Sequence, residues 1–150
     1  MKREIKVRLI RHKTFLETEL QDFEDFRSLS REDYFRESAK RRNVERWLEN
    51  IINSSIDISK IILVSENITL QDTYKDLVLS LSLVQGFSKE VTEALSEWVR
   101  LRNIIAHEYL DIRWVSIEKF IREAAPLYRD FLVQVKEYLA KQIESSVEEG

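Results

Sequence analysis

The chain has no cysteine, one proline, two glycines and two histidines. Without cysteine there is neither a disulfide framework nor a thiolate metal site. Two glycines and one proline are too few for a sheet protein with many tight turns. His12 and His107 stand far apart in sequence, so a histidine-rich metal centre is not expected, and no cofactor is implied. No apolar run is long enough to span a bilayer. The basic N-terminal stretch lacks the apolar core of a signal peptide. A cytoplasmic location and no membrane partner are the resulting expectations.

What the sequence does contain is long stretches of Leu, Ile, Glu, Lys and Arg with few breakers, which is the composition of an all-α chain. A length of 150 residues fits one helical domain over residues 1–150 with a substantial core. Apolar periodicity predicts five helical segments. The first covers about residues 2–27, with Ile5, Leu9, Leu16, Leu20 and Phe23 near one face, and Ser28-Leu29-Ser30 breaks it. Ser30 with Asp33 reads as a helix start. A second helix over about 31–65 has the stripe Val44, Trp47, Leu48, Ile51, Ile52, Ser55, Ile58 and Ile62, closed by Asn67. A short third helix over about 73–85 stops at Gly86, a suitable C-terminal cap. Ser88 opens the fourth. The fifth, about 115–144, contains Pro126, where a kink or interruption is expected. Short polar links predict an up-and-down antiparallel bundle of about five helices.

Charge is close to balanced, with a formal net charge of −3, but it is unevenly spread. Lys2, Arg3, Lys6, Arg8, Arg11 and Lys13 form one basic cluster, and Arg36, Lys40, Arg41, Arg42 and Arg46 a second. Glu144, Glu148 and Glu149 make an acidic tail. Basic clusters of this kind bind polyanions or form salt-bridged helix surfaces, and the acids Glu37 and Glu45 inside the second favour the surface reading. His12, between Arg11 and Lys13, reads as a surface residue. Trp47 and Trp98 fall on apolar stripes and are assigned to the core. Trp114, beside Arg113, has no such assignment.

The fourth helix contains Arg102-Asn103-Ile104-Ile105-Ala106-His107-Glu108-Tyr109. Its apolar stripe runs Val91, Leu95, Trp98, position 102, Ile105 and Tyr109. Arg102 thus occupies a position that asks for a core residue, although arginine is almost never fully buried unless paired. Either its stem lies on apolar surface with its head in water, or it presents a cation to an interface or cleft. On a straight helix Arg102 and Tyr109 share one face, and Asn103 and His107 share a neighbouring flank. Arg102 and His107 reach one phosphate if the helix bends or ends near Ala106, or if a second copy packs against the first. The spacing leaves these alternatives open.

Arg102-Asn103, then His107 and Tyr109, resembles the Arg-Asn-x-x-x-His-x-Tyr signature of HEPN-domain proteins, in particular HepT-like toxins. Arg41-Arg42-Asn43-Val44-Glu45-Arg46 leading into a long helix is similar to the second helix of that group. Tyr74-Lys75-Asp76-Leu77 with the Gly86 turn is similar to its short third helix. The resemblance implies an up-and-down bundle that forms a homodimer, with the motif helices meeting at the dimer cleft. It further implies a metal-independent ribonuclease toxin acting on tRNA or mRNA. A minimal nucleotidyltransferase antitoxin would be its partner and would silence it by transferring AMP to Tyr109.

The residue types suit that chemistry. A histidine titrates near neutrality and can act as general base or acid toward the ribose 2′-hydroxyl or the leaving 5′-oxygen. The planar guanidinium of Arg102 can neutralise charge developing on the phosphate. Asn103 can orient His107 or the phosphate, or be a helix-surface amide, and Tyr109 can help place RNA. One chain supplies one motif histidine, and a symmetric dimer would supply two. A second class stays open beside the nuclease: a non-catalytic helical adaptor that binds a nucleotidyltransferase or a nucleotide.

Overall fold

The computed structural model describes the backbone of residues 1–149 and the side chains of residues 1–143. The side chains of Glu144, Glu148 and Glu149, the expected acidic tail, lie outside the described residues. The fold is an all-helical up-and-down bundle built around one long helix, and each predicted helical segment is present, most of them in two pieces.

The first segment divides into α1 (Arg3–Leu20) and α2 (Phe23–Phe26). Gln21 and Asp22 make the i→i+3 bonds of a tightened turn, to Thr18 and Glu19. The turn points the carbonyl of Glu19 at the core, where the indole N–H of Trp47 donates to it at 2.7 Å. Phe23 then packs edge-on to Trp47 at 4.7 Å, and Phe26 stacks on the same ring at 4.4 Å.

The predicted helix over 31–65 is likewise two elements, α3 (Arg31–Arg36) and α4 (Ser38–Ser65), separated by Glu37 in an extended conformation. The hydroxyl of Ser30 accepts from the backbone N–H of Asp33 at 3.0 Å, so the start is where the capping pattern places it. Arg41 explains the break. Its guanidinium donates to the carbonyls of Tyr34 and Phe35 at 3.0 and 3.2 Å, satisfying acceptors that the end of α3 leaves open.

α4 buries every residue of its predicted stripe and contacts α1, α3, α5, α6 and α7. Its buried serines do not compete with packing, because Ser55 and Ser59 donate to the carbonyls of Ile52 and Ser55, each at 2.7 Å. The helix closes as a Schellman motif. Asn67 adopts φ 59°, Ile68 N–H bonds to Leu63 O at 2.9 Å, and Asn67 N–H bonds to Val64 O at 3.1 Å.

α5 (Tyr74–Ser80) is capped by Thr73 and runs into a single 3₁₀ turn, Leu81–Leu83. Gly86 follows at φ +101°, a backbone conformation that side-chain-bearing residues rarely adopt. α6 (Lys89–Val99) starts at Ser88, whose hydroxyl accepts from Val91 N–H. It continues as α7 (Leu101–His107) through a tightened turn at Arg100. α8 (Leu110–Glu123) begins earlier than the predicted residue 115. α9 (Ala125–Glu149) follows after an interruption at Ala124, just before Pro126, where the missing N–H favours a fresh helix start.

The core is continuous, and Phe120 is its aromatic centre. This ring is fully buried and lies 5.2 Å from Trp98, 5.5 Å from Phe23, 5.8 Å from Trp47 and 5.8 Å from Tyr128. Through Trp98 it connects the core to the helix that leads into the motif. Among the described residues no helix is long and apolar enough to cross a membrane.

Candidate phosphate-handling site

The motif lies on α7 and the turn that follows it. Leu101 and Ile105 anchor this short helix in the core, which turns Asn103, Ala106 and His107 toward solvent. Arg102 lands at the edge of the buried stripe and is half-buried. The stripe ends at Ile105. Glu108 is extended, with φ −95° and ψ 163°, so the helix stops at His107 and Tyr109 leaves it to become the N-cap residue of α8. Arg102 and Tyr109 therefore do not share a helix face, as a straight helix would have required. Tyr109 is 83% exposed.

The end of α7 near Ala106 is one of the two geometries that spacing allowed for bringing Arg102 and His107 together. Within one chain the two stand toward opposite ends of this seven-residue helix, Arg102 half-buried and His107 exposed. His107 and Asn103 face open solvent.

Arg102 has a different neighbour. Its guanidinium carbon sits 4.8 Å from the centroid of the Tyr74 ring, at the start of α5. Nζ of Lys60, on α4, sits 4.9 Å from the same centroid. Stacking of this kind is favourable for arginine and leaves its edge donors free. Beside it, a cleft of about 350 Å³ is lined by Thr73, Tyr74, Lys75, Asp76, Arg102 and Asn103, among others. Two further cations border this region, and Glu97 serves both: Lys75 at 3.5 Å and Arg100 at 3.7 Å.

The turn after the motif is braced from the core side. Nε of Arg113 donates to the carbonyl of Glu108 at 2.7 Å, and its NH1 pairs with Glu45 at 3.2 Å. The hydroxyl of Tyr34 donates to the same Glu45 oxygen at 3.3 Å. Burial and then the Glu45 carboxylate push the Tyr34 phenol up to about 12, so it remains a donor at neutral pH. Trp114 packs on Tyr34 at 5.3 Å, which places it in structure rather than on a free surface. Replacing Arg113 with alanine leaves Glu45 largely enclosed without its cation. It should lower the unfolding free energy by about 1.5–3 kcal/mol, the range for a hydrogen bond to a charged group. Urea denaturation reads this directly, and an unchanged midpoint would show the brace to be idle.

The second basic cluster is mostly spent on structure. Arg36 pairs with Glu32 at 2.7 Å, Lys40 with Glu37 at 3.1 Å and Asp33 at 3.7 Å, and Arg41 with the carbonyls of α3. In the first cluster Lys13 pairs with Glu17 at 3.0 Å. His12 is half-buried and lines a groove between α1 and α4 with Arg11, Phe15 and Asp57, not the motif region. Lys60 and Arg113 escaped sequence reading as parts of the site region, since neither belongs to a periodic or motif pattern there, and Glu45 was visible only as part of the second-helix similarity. Tyr74 was visible only as part of the third-helix similarity.

This helical bundle is of the HEPN type. It matches the tri-AMPylated HEPN toxin of Shewanella oneidensis, solved in complex with MNT antitoxin, with a TM-score of 0.73. Identity is 15%, and the match covers 86% of this chain and 96% of that one, so the likeness is one of fold. The chain itself belongs to the HepT-like family, described as ribonuclease HepT-like, whose model matches residues 16–135. No curated protein matches the sequence.

Proposed function

We propose that this protein is the toxin of a toxin–antitoxin pair, a metal-independent endoribonuclease whose chemistry rests on Arg102 and His107. The observation that supports this most directly is the state of the motif side chains. Arg102 is held at the edge of the core with no ion-pair partner among the described residues, while Asn103 in the first turn of α7, His107 at its last position and Tyr109 just beyond it are all exposed. A structural arginine of this kind would be expected to have a carboxylate, and a structural histidine some burial.

In the proposed reaction the ribose 2′-hydroxyl attacks the adjacent phosphorus as a base removes its proton. The 5′-oxygen leaves with a proton from an acid, and a 2′,3′-cyclic phosphate remains. Arg102 neutralises the charge that builds on the phosphoryl oxygens. Asn103 orients His107 or the phosphate. His107 provides base or acid, and a second copy of the chain provides the other. Ile112 and Val115, 45% and 67% exposed on α8 beside Tyr109, give a second copy apolar surface to cover.

Tyr109 is the proposed acceptor of AMP from a minimal nucleotidyltransferase antitoxin. Its exposed phenol lies two residues beyond His107, so an attached nucleotide would crowd the RNA path. The similar Shewanella oneidensis toxin is tri-AMPylated and bound to an MNT antitoxin, which favours such a partner here.

The test is to incubate purified, unmodified protein with a mixed tRNA and mRNA pool in excess EDTA, across a dilution series. Cleavage leaving cyclic phosphate ends, with activity per chain falling on dilution, is expected. Full activity at high dilution would argue against the composite dimer site. No cleavage, once mass spectrometry has excluded AMP on Tyr109, would replace the nuclease with an adaptor that binds the nucleotidyltransferase or a nucleotide.

A further inference from the structure

We propose that Lys60, set against the same Tyr74 ring that carries Arg102, forms a second phosphate subsite for single-stranded RNA, one that holds the phosphodiester adjoining the one cleaved. The proposal deepens the ribonuclease reading and rests on it for the place of the scissile phosphate at Arg102. Its starting point is an electrostatic imbalance. Two cations, the Lys60 ammonium and the Arg102 guanidinium, lie 4.9 and 4.8 Å from the centroid of one tyrosine ring. The ring attracts both cations, but it neutralises neither charge.

The neighbouring cations show how this fold deals with positive charge when it has no ligand to bind. Lys75 and Arg100 both reach Glu97. Lys60 and Arg102 have no carboxylate within ion-pair distance among the described residues. Asp76 lines the cleft as well but pairs with neither, and its backbone N–H is given to the Thr73 cap. Asp57, one helical turn before Lys60, does not pair with it either. The arrangement lacks an anion, and the adjoining cleft of about 350 Å³ opens on the edge where Arg102 and Asn103 stand.

The three residues come from three helices, α4, α5 and α7, so the subsite is built by tertiary packing. Lys60 is half-buried, which limits the freedom its charged end loses on binding. Tyr74, 43% exposed, is a positioning residue: its ring face fixes the guanidinium plane of Arg102 while leaving the fork of donors free for phosphate. Lys60 stands outside the cleft lining, against the Tyr74 ring, so a strand that leaves the cleft past Arg102 crosses that ring to meet Lys60 at the next phosphate. A lone mononucleotide uses only one of them.

The test measures binding without chemistry. Full-length protein is titrated into a fluorescent 2′-O-methyl RNA oligonucleotide, which has no free 2′-hydroxyl to attack, at several salt concentrations. Each phosphate contact on a single strand contributes about 0.7 to the slope of log affinity against log salt. Lys60→Gln should lower that slope by about 0.7 and weaken binding, while Lys60→Arg keeps it. Tyr74→Leu should lose affinity and Tyr74→Phe, which retains the ring face, should recover it. Lys89→Gln, at an exposed lysine paired with Glu93, should leave the slope as it is.

An unchanged slope in Lys60→Gln overturns the subsite, and so does an equal fall in Lys89→Gln, which would reveal a general field effect. The two readings fail separately. Cleavage of ordinary RNA with a Lys60-independent slope removes the subsite and leaves the nuclease. A Lys60-dependent slope without any cleavage keeps the subsite and removes the nuclease.

Discussion

Alanine in place of His107 is expected to slow RNA cleavage in excess EDTA by about 10²- to 10⁴-fold, the contribution of a positioned general acid or base. The fold should not notice. His107 is exposed at the last position of α7 and makes no hydrogen bond to another side chain among the described residues, so its removal should leave stability within about 0.5 kcal/mol. That separation gives the experiment its force. A variant that melts with the wild type yet no longer cleaves locates the loss in chemistry. Residual cleavage equal to the wild type would remove His107 from the mechanism. If two copies share the site, a mixture of His107→Ala with Arg102→Ala chains offers a composite cleft lacking one group from each, a stricter version of the same comparison.

The largest effect on stability is expected at Phe120. Its ring is fully enclosed by Phe23, Trp47, Trp98 and Tyr128. Truncation to alanine removes the transfer free energy of the ring and leaves a cavity that four rigid aromatic neighbours cannot collapse to fill. The cost should be about 3–5 kcal/mol. At about 2–4 °C per kcal/mol for a chain of this size, the melting temperature should fall by roughly 6–20 °C. A shift equivalent to less than about 1 kcal/mol would mean that the neighbours repack, contrary to the density expected of such a core. Phe120→Leu, which refills part of the space, should fall between the two. Because Trp98 packs edge-on to Phe120, the loss should also be felt at the start of the motif segment.

The helix ends that could be read from sequence are those written in local chemistry. Ser30 and Ser88 accept from the backbone three residues on, Asn67 takes the left-handed conformation, Gly86 stands at positive φ, and Pro126 begins a new helix. Most of the breaks that could not be read have a different cause. At three of them a side chain binds a backbone carbonyl at the break: Trp47 that of Glu19, Arg41 those of Tyr34 and Phe35, and Arg113 that of Glu108. Nothing in the local pattern near residues 21, 37 or 108 announces such a bond. The same reason limited the reading of the site. Arg102 stood out because it violated a stripe, and the motif drew attention to Asn103, His107 and Tyr109. Tyr109 leaves the face a straight helix would give it because Glu108 is extended, a conformation that no local turn residue signals.

The short length of α7 has a consequence for how the protein can be controlled. Leu101 and Ile105 are its buried residues, and it is bounded by a tightened turn at Arg100 and an extended residue at Glu108. α4, by contrast, is buried along most of its length. Local opening free energies follow such differences, from small values at weakly anchored segments up to the global value in core helices. The segment with the motif is therefore a separate low-energy unit set against a stiff frame. A partner or a nucleotide that reorganises it works against the opening free energy of seven residues, not against the bundle.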